Sequence, residues 1–166
     1  MQIGKIILIY TYMKTFTIKQ GNHYCEPTIF GLPLHFKISK TDLTFKFLFH
    51  NDCIYDDSKV IPGWNKVFGW STTGIHTNSV RLVWECRCGK LWTGYYYYLN
   101  GIRYSGDLLQ AEPEIWYEGE CSINLIRVND TSKEIIGMQK PCIAFQCYPY
   151  FGGQSVALQN THIDII

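Results

Sequence analysis

Residues 79–104, SVRLVWECRCGKLWTGYYYYLNGIRY, hold two long aromatic and β-branched runs, separated by Cys88-Gly89 and closed by Asn100-Gly101. Such runs suit a pleated, half-buried surface. Asn-Gly between them is the strongest short-range hairpin signal, because both central residues of the favoured turn take positive φ. The stretch therefore predicts long antiparallel strands joined by tight turns. Within Ser79–Arg87, alternation puts Val80, Leu82, Trp84 and Cys86 on one face and Ser79, Arg81, Glu85 and Arg87 on the other, with Val83 the exception. Lys90–Leu99 is apolar on both faces, as in a strand covered on two sides.

The same period of two recurs along the chain, and no window sustains the three-and-four spacing of a helix. In Leu43–Phe49 the residues Leu43, Phe45, Phe47 and Phe49 share a face opposite Thr44 and Lys46. Further strands are expected at 3–10, 14–19, 34–38, 66–70, 120–128, 133–138, 143–148 and 156–165, with Asn129-Asp130 as a turn. Strands this numerous, punctuated by Gly, Pro, Asn and Asp, predict one all-β domain over residues 1–166. The expected architecture is an antiparallel two-sheet jelly-roll sandwich, with an up-and-down β-barrel as the alternative. The expected long loops are 21–33, 51–65 and 106–113.

Composition narrows the function classes. Fifteen basic and fourteen acidic residues leave a net charge of +1, so no whole-molecule field draws in a polyanion and nucleic acid is not an expected partner. Aromatic residues make up 16% of the chain, far more than a disordered segment carries. The apolar run at residues 1–12 is too short for a membrane span and lacks a small-residue cleavage site, so it reads as an extra strand or arm. Seven cysteines, an odd number, suggest reduced thiols packed as small hydrophobes. Cys86-Arg87-Cys88-Gly89 with Cys142 and Cys147 departs from zinc-site spacing, and no phosphate-cradling glycine loop is present, so no cofactor or metal is expected.

From residue 14 onward, KTFTIKQGNHY, FHNDCIYD, WNKVFGWSTTGIHTNSVRLVW and GYYYYLNGIRY resemble a family of small all-β proteins from gut-type bacteria and their phages. The segment YPYFGG at 148–153, with the run that closes the chain, is similar to the last strand of concanavalin-type jelly rolls. The resemblance implies a sandwich or barrel and an extracellular or virion setting, and it carries no settled activity. Members of that family show consecutive histidines where this chain has Ile75-His76-Thr77-Asn78, which weakens any metal role for the loop.

The richest candidate site is the segment 63–78, holding Trp64, Trp70, His76 and Asn78 and feeding into the strand of Arg81. Aromatic plates beside amide and guanidinium groups suit a pyranose, which offers an apolar face and a rim of hydroxyls. Tyr95 to Tyr98 divide two and two between the faces of their strand, so one pair, Tyr96 and Tyr98, could line a groove. The expected role is a non-enzymatic, lectin-like module that contacts glycans at a cell or virion surface through Trp64, Trp70, His76, Asn78, Arg81, Tyr96 and Tyr98. Two alternatives stand beside it. One is a phage structural or assembly protein that uses its aromatic surface against a protein partner or in a homo-oligomer. The other is a polysaccharide-cleaving enzyme, either a hydrolase using a carboxylate pair from Glu112, Glu114, Glu118 and Glu120 around Trp116 and from Asp56-Asp57 or a lyase moving a proton with Arg81, His76 and Tyr96.

Overall fold

The computed structural model describes residues 13–26, 28–29, 32–33, 37–72 and 76–166. In chain order the strands are β1 (Lys14–Ile18), β2 (Thr28–Ile29), β3 (Leu32–Pro33), β4 (Ile38–Ser39), β5 (Leu43–Phe49), β6 (Asn65–Ser71), β7 (Ser79–Arg87), β8 (Lys90–Leu99), β9 (Ile102–Ala111), β10 (Trp116–Cys121), β11 (Leu125–Val128), β12 (Thr131–Glu134), β13 (Ala144–Cys147) and β14 (Thr161–Ile165). Two single-turn 3-10 helices, Asn51–Cys53 and Asp57–Lys59, are the only helical segments among the described residues.

Twelve of the strands form two open six-stranded sheets, one ordered β1-β14-β5-β10-β11-β12 and the other β4-β13-β6-β7-β8-β9, while β2 and β3 pair separately; every pairing is antiparallel. We call them the first and second sheet. The protein is an all-β sandwich, and the barrel alternative does not describe it. Each sheet contributes one wall of the core. Phe16, Phe45, Phe47, Phe49, Ile126, Val128 and Ile163 come from the first sheet, and Val67, Phe68, Trp70, Val80, Leu82, Trp84 and Leu91 from the second. Alternation predicts this inward set correctly on β5 and β7, and Val83 is buried on the outer face, where its cross-strand partner is Gly94.

The two hairpins of the opening stretch have the expected turns, with φ of 50° and 70° at Cys88 and Gly89 and of 52° and 83° at Asn100 and Gly101. Four expectations need correction. The expected strand 133–138 is strand only to Glu134, where β12 ends. Residues 120–128 are not one strand, because the chain turns at 122–124 between β10 and β11, where Ser122 N donates to Leu125 O. The expected loop 106–113 is mostly strand, since β9 runs to Ala111. Its Gly106 mimics a turn signal but serves space, as a Cβ there would lie 2.6 Å from the Tyr95 hydroxyl. In 156–165 only Thr161–Ile165 is strand; Ala157 N instead donates to Asn22 O, and Ala157 O accepts from Gly21 N. The expected strand at 3–10, the arm at 1–12 and most of 34–38 lie outside the described residues. All seven cysteines are unpaired.

Candidate functional site

The outer face of the second sheet collects the polar half of β6 to β9. Register places Ser79, Tyr98 and Arg103 on one rung, Gly69, Arg81, Tyr96 and Ser105 on the next, and Val83, Gly94 and Asp107 on the third. Strand pairing is regular from β7 to β8, so these side chains share a face. Lys66 joins them from β6, opposite Val83. A bulge between Lys66 and Phe68 makes this possible: it turns both Val67 and Phe68 inward and leaves Lys66 on the outer face.

Lys66 is almost fully buried, at 9% exposure. Its Nζ donates to Trp64 O at 2.6 Å and lies 4.9 Å from the Tyr96 ring centroid and 5.5 Å from that of Tyr150. Burial, with the positive charges of Arg81 and Arg103, lowers its pKa from 10.5 to about 8. A loop from the far end of the chain fixes its surroundings. Gly152 N donates to Asn65 Oδ1 at 2.7 Å, and Asn65 Nδ2 donates to Tyr55 Oη. The fit is so close that a Cβ on Gly152 would fall 1.9 Å from Trp64 O and 2.7 Å from Lys66 Nζ.

Tyr96 is buried and its hydroxyl bonds to that of Tyr98 at 3.4 Å. Burial and the Tyr98 hydroxyl raise its pKa to about 12 against the opposing pull of Arg103 and Arg81. No ion pair among the described residues engages Lys66, Arg81 or Arg103. Two buried atoms on the same face, Ser79 Oγ and Arg81 Nε, have no hydrogen-bond partner. The face thus holds three cations that enter no ion pair among the described residues, one of them a desolvated amine, beside a protonated phenol. A buried amine displaced by neighbouring cations beside a buried phenol makes this face a candidate site.

Of the residues expected from sequence, Arg81, Tyr96 and Tyr98 come together here. His76 is exposed at the rim, its ring edge-on to Tyr98 with centroids 5.0 Å apart. Asn78 is committed to the fold, its Oδ1 accepting from Asn100 N at the hairpin turn. Trp64 lies on the face farther along, its ring so close that a Cβ on Gly94 would be 2.6 Å from it. Trp70 is a correction: it is fully buried in the core. An unbroken strand would carry Trp70 to the same face as Lys66, and the bulge at Val67 reverses that parity. Sequence reasoning missed Lys66, Arg103 and Tyr150. Arg103 was legible as the residue two beyond Asn100-Gly101, facing Tyr98 across the hairpin. Lys66 was not, because a bulge leaves no sequence signal here.

No helix among the described residues is long and apolar enough to cross a membrane. No family model matches the chain, and no curated protein matches it. Among solved structures the chain is similar to the alginate lyase vAL-1 from Chlorella virus, with a TM-score of 0.52 at 14% sequence identity, covering 91% of this chain and 81% of that one. At that identity the likeness establishes the shared sandwich fold.

Proposed function

We propose that the protein cleaves a uronate-containing polysaccharide by β-elimination on the outer face of the second sheet. The observation that carries the reading is the cluster of Lys66, Arg81 and Arg103, none of them in an ion pair among the described residues, around the Tyr96–Tyr98 pair. An anionic sugar supplies the missing charge, and the alginate lyase of similar fold supports a polysaccharide lyase over a hydrolase.

Arg81 and Arg103 hold the uronate carboxylate and stabilise the negative charge that builds on it as the neighbouring C–H bond breaks. Lys66 is the base. With its pKa near 8 it is partly neutral at neutral pH, and its hydrogen bond to Trp64 O leaves the lone pair free to take the proton from the carbon that bears the carboxylate. The freed electron pair forms the carbon–carbon double bond, and the bond to the glycosidic oxygen breaks. Tyr96, kept protonated by burial, gives its proton to that oxygen. Proton return from the Lys66 ammonium to the Tyr96 phenolate resets the site without a cofactor.

The test is incubation with a panel of uronate polymers while following the ultraviolet absorbance of the unsaturated uronate product. The expected result is a rise with the wild-type protein that disappears in Arg81→Ala and Lys66→Met. Binding without cleavage would return the protein to the lectin-like reading. New reducing ends without unsaturation would make it a hydrolase.

A further inference from the structure

Two rings lie against the Lys66 amine, and they are held in different ways. Tyr96 is fixed by β8. Tyr150 belongs to none of the strands; its backbone exchanges two hydrogen bonds with Lys66, Lys66 N donating to Tyr150 O at 2.8 Å and Tyr150 N to Lys66 O at 3.1 Å. Its ring is braced from the turn that follows β1. His23 stacks on it, with centroids 5.4 Å apart and planes 11° from parallel, and Tyr24 meets it edge-on at 5.0 Å. His23 is itself locked. Phe151 N donates to His23 O at 2.7 Å, and His23 Nδ1 lies 2.8 Å from Phe151 O. A carbonyl oxygen only accepts, so Nδ1 carries the proton of that bond and the orientation of the ring is set. Gly21 N donates to Ala157 O and Ala157 N to Asn22 O, which zips the rest of the turn to the same far segment of the chain.

We propose that His23 is a positioning residue for Lys66: stacked on Tyr150, it holds that ring against the amine and keeps water from it. The consequence for catalysis rests on the eliminative reading, whereas the state of the amine does not. Lys66 faces Arg81 from β7, Tyr96 from β8, Arg103 from β9 and Tyr150 from the segment after β13. The residues on strands keep their places without the turn. Tyr150 loses its flat neighbour when His23 is replaced, and its ring is then free to swing from the amine and admit water. Burial is the largest cause of the lowered Lys66 pKa, so hydration returns it toward 10.5. A smaller share of the amine is then neutral and able to take a proton at neutral pH.

The test follows the titration of Lys66 by NMR in protein carrying isotope-labelled lysine, with the Lys66 resonance identified by its absence from Lys66→Met. His23→Asn removes the ring but keeps a donor for Phe151 O, so the turn stays zipped. Its Lys66 midpoint should rise from about 8 by about one pH unit. On a uronate polymer, kcat/KM should fall about tenfold near neutral pH and recover near pH ~10, a recovery that a poorly folded variant would not show. His23→Phe keeps a flat ring without a titrating nitrogen, and its midpoint should stay near that of the wild type. A Lys66 midpoint unmoved by His23→Asn, moved as far by His23→Phe, or already near 10.5 in the wild type would overturn the inference, whether or not any polymer is cleaved. No unsaturated product from the wild type would remove the eliminative reading instead, and the two variants would still decide whether His23 keeps the amine dry.

Discussion

The outer faces of the two sheets handle charge in opposite ways. On the first sheet, Lys46 pairs with Glu118 at 3.3 Å, Arg127 with Glu120 at 3.0 Å, His50 with Asp164 at 3.1 Å, and His162 with Asp52. On the second, Lys66, Arg81 and Arg103 stand within range of one another and of no carboxylate partner. Exposed ion pairs are each worth about 0.2–1 kcal/mol, so the tidy pairing of the first sheet adds little to stability. On the second sheet Arg87 is paired with Glu85 and Asp107, but Lys66, Arg81 and Arg103 stay apart from acids against their mutual repulsion, which is the feature the proposed uronate would relieve.

The largest expected effect defines which residues belong to that surface. Trp70→Ala should destabilise the fold by about 3–5 kcal/mol, read as a fall in thermal midpoint, because Trp70 is core. A midpoint unchanged by the substitution would return it to the face. Next comes Arg81→Ala, for which kcat/KM should drop by about 10²–10³-fold, the effect of losing one group that stabilises developing charge. The melt should barely move, since no ion pair is broken. A loss of stability with activity intact would make the second face as structural as the first.

Lys66→Met separates the two faces more finely. Because folding depresses the Lys66 pKa from 10.5 to about 8, the wild type gives up stability as pH falls from 10.5 to about 8, and the loss is complete below that. The variant lacks that penalty. It should be the more stable protein below pH 8 by about 1–3 kcal/mol, the gap closing as pH rises toward 10.5, and it should be inactive. In the wild type, kcat/KM should rise as pH passes through about 8, when Lys66 becomes a free base. A flat profile there would remove Lys66 from the proton transfer. The smallest effect belongs to the first sheet, where Lys46→Ala should change stability by less than about 1 kcal/mol and leave cleavage untouched.

Much of the second sheet was legible in the chain because its strands obey simple alternation. Ser79–Arg87 and Lys90–Leu99 were bounded by Cys88-Gly89 and Asn100-Gly101, and the turn residues take the positive φ that this pairing demands. Half of the site followed, since Arg81 sits opposite the inward Val80 and Leu82, and Tyr96 and Tyr98 fall on its side of the sheet. The other half depends on irregularities. The bulge at Val67 decides that Lys66 faces out and Trp70 faces in, and one extra residue in a strand is invisible to a pattern read two residues at a time. Tyr150 reaches the site through a backbone bridge to Lys66, a long-range pairing that no local motif announces.

The joint between Asn65 and Gly152 links residues 87 positions apart. During synthesis on the ribosome, the strands that carry Arg81, Tyr96 and Arg103 emerge well before the segment that seats Lys66. The surroundings of Lys66 are thus completed only after the strands of that face have been made, so a large part of the second sheet can collapse before the Lys66 amine is seated.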